Sequence, residues 1–255
     1  MIYLLTGSLC VFYGMSSGLG ALTLLRPLLD AISPLSGPSI AMLCTMSALA
    51  ASLVGAFFAL NQKLPLSQDE LVLIAVGSAL GGILGDLAAF RFLSMLSDSA
   101  AGFLQNALLL TLLALPLLYF GHLSVSIRPL NLGRTMLFPA ALLLGLLASF
   151  LSFGAEPLSL MLFFLLFDAT DREAGFAALE ITLFSMAGKL LIMLIRERFA
   201  LPDAGVLLWL LPGVILGAFA SMFPHIARIP QRTGEALMRL SLFTSLLNIA
   251  ASALR

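Results

Sequence analysis

Two glycine- and serine-rich interruptions inside apolar runs are the first places where this chain could do chemistry. Each is followed by an apolar stretch only half a membrane span long, Ala21–Ala31 and Leu158–Phe167. Because glycine and proline weaken a continuous helix, each interruption is predicted to be a broken or re-entrant helix. The start of a half-helix exposes backbone N–H groups and carries a partial positive charge of ~0.5 e, which suits an anion. Close packing through small residues explains the pattern equally well. The candidate binding residues are Ser16, Ser17, Gly18, Gly20, Ser152 and Gly154.

Ionisable side chains inside apolar runs form the second group of candidates, because such residues are usually functional in a membrane. Glu156 precedes Pro157 at the start of a half-helix. Capping of that helix end is the favoured interpretation, and proton carriage beside a substrate site is the alternative. Glu180 and Lys189 lie nine residues apart, so they face opposite sides of one helix and cannot pair. Glu180 therefore needs an interior partner or a proton.

Lys189 and Asp86 have plainer explanations. Lys189 lies seven residues before Arg196, ~10 Å along a helix, and its long side chain can reach water from there. This interpretation is slightly favoured over substrate binding. Asp86 follows a glycine stripe and is expected to meet water and Arg91. Glu156, Glu180 and Asp86 remain candidates for proton coupling, and Lys189 remains a candidate for substrate binding.

Hydroxyl side chains in the apolar runs are a third group. Thr45 and Ser47 are candidates for lining a binding cavity, together with Thr182 and Ser185. The alternative is that these hydroxyls donate to carbonyls of their own helices, which is their usual behaviour in membrane helices.

The composition of the chain indicates that its helices lie in a membrane. Of 255 residues, 60% are hydrophobic and 10% are charged, whereas a soluble domain is ~25% charged. Strands are not expected, because an open sheet edge cannot stay in lipid and a barrel needs alternating apolar and polar residues. The predicted fold is an all-α, polytopic integral membrane protein.

The charges and cysteines exclude several partners. The net charge is zero, from 13 basic and 13 acidic residues, and no basic tract is present to neutralise nucleic-acid phosphates. The two cysteines, Cys10 and Cys44, lack metal-ligand spacing. No nucleic acid, metal or cofactor is therefore predicted.

Apolar runs of about 20 residues predict about eight hydrophobic helical elements. The interval from Gly20 to Gly154 is nearly the same as the interval from Gly77 to Gly213. This common offset predicts two tandem repeats, each opening with a broken helix: 1–120 and 135–255, joined by a loop at 121–134. Paired interrupted segments in two halves are the best sequence pointer to a transporter's binding site. Whether the repeats are parallel or inverted stays open.

These elements resemble the sulfite exporter family of the TauE/SafE type, also called the four-toluene-sulfonate-uptake permeases. Each family repeat opens with a glycine-rich turn, a short apolar stretch with a proline, and a small-residue helix. Here the matching segments are Ser17–Leu29 with Pro27, Ser39–Ser47, Phe153–Leu158 with Pro157, and Asp171–Ser185. The segment Gly77–Asp86 is similar to the family's glycine-rich third helix. The turns depart from the family pattern: the first is thinned to Gly18 and Gly20, and the second holds Gly154 alone, with Glu156 beside it.

The resemblance implies a permease of the cell membrane, expected to be the bacterial inner membrane. It would move a small organic or sulfur-containing anion such as sulfite or a sulfonate, with proton coupling as a further hypothesis. The expected partners are this anionic substrate and the lipid bilayer, and enzymatic activity is not expected. One alternative is a serine-protease-like intramembrane enzyme that uses Ser16 with His122 or His225 as its base. Another is a membrane scaffold without transport.

Overall fold

The computed structural model describes residues 1–33, 35–60, 66–120, 129–152, 154, 156–196, 204–223, 236, 239–240 and 243–244. Within these residues the chain is helical and contains no β-strand, which confirms the predicted all-α fold. The helices of this part of the chain are α1 (Ile2–Ser16), α2 (Leu22–Ile32), α3 (Gly37–Leu60), α4 (Gln68–Leu93), α5 (Asp98–Leu118), α6 (Leu137–Leu151), α7 (Glu156–Phe167), α8 (Asp171–Arg196) and α9 (Ala204–Ser221).

Five of the described helical segments are long and apolar enough to cross a bilayer. They are Gly37–Ala59, Gln68–Leu93, Arg134–Leu151, Asp171–Arg196 and Ala204–Ser221. Their outer surfaces expose large apolar side chains, such as Leu80 of α4 and Leu208 of α9, as lipid-facing helices do. The chain is therefore a polytopic membrane protein. The last predicted run, Thr233–Leu254, lies almost entirely outside the described residues, so the total of about eight elements stays a prediction.

The helix boundaries repeat along the chain. Four helices of the first repeat, α1 to α4, have counterparts in the same order in the second repeat, α6 to α9. The interval between the first residues of two counterparts is nearly constant along the four pairs. These first residues are Ile2 and Leu137, Leu22 and Glu156, Gly37 and Asp171, and Gln68 and Ala204. This regular spacing agrees with the predicted duplication. Residues 121–128 of the proposed connecting loop lie outside the described residues, so the repeat limits stay as predicted.

The two repeats are interlocked. The first helix of each repeat packs against the fourth helix of the other, α1 against α9 and α6 against α4, and the two third helices pack together. Glycines allow the close approach: Gly77 and Gly81 of α4 face backbone carbonyls of α6, and Gly213 and Gly217 of α9 face backbone carbonyls of α1. A Cβ at any of these glycines would overlap a carbonyl oxygen, so the stripes are required by packing.

Both predicted interruptions are present. The first follows α1, which ends at Ser16; Gly18 and Gly20 then adopt φ of 74° and 84°, and the N–H groups of Leu19 and Gly20 both donate to the Gly14 carbonyl. The second follows α6, where Ser152 adopts φ of 51°. Left-handed backbone ends a helix, and glycine adopts it most easily. Each repeat therefore opens with one helix broken into two.

Candidate functional site

The two interruptions meet at the carboxyl group of Glu156. This residue opens α7, the half-helix of the second repeat. A Cβ built on Gly20, in the first interruption, would lie 2.5 Å from Glu156 Oε2 and 2.6 Å from its Cγ. A Cβ on Gly154, in the second interruption, would overlap the same Oε2. The start of α2 follows Gly20 by two residues, so the carboxyl group lies between the N-termini of two half-helices.

Several buried polar atoms at this junction have no hydrogen-bond partner among the described residues. Glu156 Oε2 is one, although the carboxyl group lies against its own backbone N–H and beside the hydroxyl of Thr182. Thr182 Oγ1 and Ser159 Oγ, on residues that are 0% exposed, are also without partners. Ser159 lies three residues after Glu156, on the same face of α7. Unpaired polar atoms are costly inside a protein, which makes this junction a candidate binding site.

Lys189 is buried inside the protein, so the interpretation that its side chain reaches water is wrong. Its side chain is only 2% exposed. Its Nζ donates to the Ser149 carbonyl and, over 2.7 Å, to Ser152 Oγ. The same atom lies 3.7 Å from Asp86 Oδ1. Because Ser149 lies in the last turn of α6 and Ser152 directly follows that helix, Lys189 is a cation at a helix C-terminus, where the helix dipole favours positive charge.

Asp86 is buried, so the expectation that it meets water and Arg91 is wrong. The residue is 3% exposed, and its Oδ2 accepts a hydrogen bond from Arg196 Nη1 over 2.7 Å. The Arg196 guanidinium also lies over the ring of Phe90, 4.4 Å from its centroid. Asp86 thus bridges Lys189 and Arg196, and this bridge ties α4 of the first repeat to α8 of the second.

Arg26 is a buried cation that the sequence interpretation missed. It lies on α2, is 4% exposed, and pairs with Asp30 over 3.0 Å. Its Nη1 donates to the Leu151 carbonyl over 3.2 Å. Two cations, Arg26 and Lys189, therefore satisfy carbonyls in the last turn of α6, just before the second interruption. The four-residue spacing of Arg26 and Asp30 on a predicted helix was a usable signal.

The hydroxyl candidates divide into two groups. Ser17 Oγ donates to the carbonyls of Tyr13 and Gly14. Thr45 Oγ1 donates to the Ala41 carbonyl, which is the alternative of bonding within its own helix. Ser16 Oγ and Ser47 Oγ are buried and have no partner among the described residues. Ser47 lies in α3 and Thr182 in α8, the two third helices that pack together. Their roles in binding remain predictions.

Glu180 lies in α8 and is 8% exposed, and its Oε2 has no hydrogen-bond partner in the described structure. The interior partner that the sequence argument calls for is therefore missing from the part of the chain that the structure describes, which leaves protonation as the way to bury this carboxyl group.

The two histidines considered for the enzymatic alternative, His122 and His225, lie outside the described residues. The geometry of a catalytic serine at Ser16 therefore stays untested.

An apolar hollow adjoins the junction on the side of α6. Its walls include Leu147, Leu151, Gly154, Pro157 and Leu158. Because Gly154 belongs both to this wall and to the surroundings of the Glu156 carboxyl, an apolar space lies next to a polar one. The hollow is small, about 10 Å³, which is room for about one water-sized group.

Comparison with known proteins gives no relative for this chain. A scan against protein-family models found no match, and searches of curated proteins and of solved structures also found none.

Proposed function

We propose that this protein is a secondary transporter for a small organic or sulfur-containing anion, such as sulfite or a sulfonate, of the kind that the TauE/SafE resemblance implies. The observation that carries the proposal is the meeting of two half-helix N-termini at one buried point. Irregular backbone at membrane depth is tolerated only where it is buried in protein or lines a cavity. Interrupted helices whose N-termini point at an anionic group are a recurrent way for transporters to build a binding site.

The surroundings of the junction support an anionic substrate. Backbone N–H groups at the starts of α2 and α7 supply donors without a full positive charge. The hydroxyls of Thr182 and Ser159 have unused hydrogen-bonding capacity. The apolar hollow beside Gly154 places apolar side chains next to the charged head, without room for a large organic group.

A scaffold without transport is less consistent with this arrangement. A purely structural bundle has no need for unpaired buried hydroxyls and carboxyls, which each cost stability. Glu156, Ser159 and Thr182 all carry such atoms at the junction. Their presence in helices that otherwise pack closely points to a ligand.

Uptake by reconstituted protein tests this proposal. We expect vesicles containing the purified full chain to take up methanesulfonate and sulfite without ATP, and we expect uptake to saturate with concentration. Excess unlabelled sulfite should compete with labelled methanesulfonate, because both oxyanions would occupy one site. Uptake of both ions no faster than in protein-free vesicles would contradict the proposed function.

A further inference from the structure

The Glu156 carboxyl occupies the place that an anionic substrate would take. It lies against Gly20 and Gly154, and neither position has room for a Cβ beside it. A carboxylate and a sulfonate both present oxygen atoms to N–H donors. The side chain is therefore chemically similar to the head group of the proposed substrate, and it is attached to the site by the chain itself.

The site cannot easily hold two anions. The positive end of a helix amounts to ~0.5 e, so two half-helices together compensate about one negative charge. A second anion placed beside an ionised Glu156 would face a like charge in a medium of low dielectric, which is strongly unfavourable. A substrate anion and the ionised carboxylate must therefore exclude each other.

The nearby charged groups are already paired or lie elsewhere on their helices. On the helices around the junction, namely α1, α2, α5, α6, α7 and α8, the described charged side chains beyond the first turns, besides Glu156, are Arg26, Asp30, Glu180, Lys189 and Arg196. Arg196 pairs with Asp86 of α4. Arg26 pairs with Asp30 and Leu151, and Lys189 pairs with Asp86 and the end of α6. Glu180 lies two residues before Thr182 and so points to a different side of α8. None of these pairs supplies Glu156 with a countercharge.

We propose, on the basis of the anion-transporter function above, that the substrate binds by displacing the Glu156 carboxylate, and that the carboxylate must be protonated for this to occur. The proton binds one carboxylate oxygen and gives a neutral acid, which gives up its place at the two helix starts to the substrate. One proton therefore accompanies one small oxyanion across the membrane. Release of both on the far side restores the ionised carboxylate at the junction.

A permanently charged probe tests this coupling. Methanesulfonate is the anion of a strong acid, so it brings no proton of its own. Vesicles containing the full-length protein would hold a trapped pH indicator, with the membrane potential clamped. We expect an inward proton gradient to drive methanesulfonate accumulation by up to about tenfold per pH unit, the limit for one proton per anion, with acidification of the interior.

Three glutamine variants locate the coupling group. Glu156→Gln should bind and equilibrate methanesulfonate, but without accumulation against a gradient and without acidification. Glu173→Gln is the matched control, because Glu173 is a partly exposed capping residue that accepts the N–H of Thr170 over 2.8 Å, and we expect it to behave as wild type. Glu180→Gln should keep its coupling.

The outcomes separate this inference from the proposed function. If wild-type protein accumulates methanesulfonate with acidification and Glu156→Gln does the same, the inference is wrong while anion transport stands. Loss of coupling in Glu180→Gln with coupling retained in Glu156→Gln would also overturn it. If wild-type protein moves no anion, the proposed function itself fails. Fluorescence-detected size-exclusion chromatography would confirm that each variant is folded before its flux is compared.

Discussion

Gly20→Ala is expected to abolish most anion flux, while Gly18→Ala leaves it largely intact. Both glycines adopt positive φ, 84° and 74°, so an alanine at either position carries a similar backbone strain of about 1–2 kcal/mol. Their surroundings differ. A Cβ at Gly18 would meet nothing within 4 Å, whereas a Cβ at Gly20 would reach the Glu156 carboxyl. Comparing the two variants therefore distinguishes the effect of backbone strain from the effect of a methyl group that fills the site.

The expected size of this effect follows from the overlap. The Glu156 side chain can turn away, so Gly20→Ala should still fold, but its methyl group remains where the substrate oxygens would lie. Overpacking of this kind costs about 1–3 kcal/mol, which corresponds to a loss of affinity of about tenfold to a hundredfold. Methanesulfonate uptake and thermal stability in detergent would be measured for both variants. Equal flux in the two variants at equal stability would argue against a site at this junction.

Lys189→Met is expected to cause a large loss of stability. The substitution leaves the Ser149 carbonyl and Ser152 Oγ without their donor, and it removes one of the two cations that contact Asp86. Breaking a buried ion pair by removing one partner typically costs about 3–5 kcal/mol. Because Arg196 still contacts Asp86 over 2.7 Å, we expect a loss near the lower end, about 3 kcal/mol.

A double-mutant cycle tests whether the loss comes from the pair. The free energy of unfolding in mixed detergent micelles would be measured for Lys189→Met, Asp86→Asn and the double variant. We expect the double variant to be more stable than the sum of the single effects by at least about 1 kcal/mol, as for directly interacting groups. Arg91→Met is the control, since Arg91 is an exposed cation in the last turn of α4; its effect should stay within about 0.5 kcal/mol. Strict additivity would show that Lys189 and Asp86 do not act as a pair.

The features that sequence predicted well are those set by local backbone chemistry. Some local features can be recognised from the residue types alone. They include a glycine that must adopt positive φ and a serine that ends a helix before a proline-containing segment. Gly20 and Gly154 mark the two interruptions, and their separation agrees with the helix boundaries. The glycine stripe of α4 likewise marks the close contact with α6, although not which helix would be the partner.

The features that sequence missed depend on contacts between distant segments. The distance from Lys189 to its helix end suggested access to water, but the end of α6 and Asp86 of α4 lie beside it and hold it inside. Arg26 is the first charge after an apolar run, and nothing in that position indicates its contact with Leu151, which joins the two repeats. Single-sequence reasoning has no access to such pairings, because periodicity describes one helix at a time.

The most direct measurement of the central claim is to locate an anion in the protein. Selenite is an oxyanion close in chemistry to sulfite, and its selenium atom gives an anomalous signal in crystals soaked at mildly acidic pH. The account predicts a selenium peak between Gly20 and Gly154, with the Glu156 side chain turned away from its present position. A selenium peak found only beside Lys189 or Arg26 would contradict this account. So would an unmoved Glu156 with no peak at the junction, under conditions where selenite is transported.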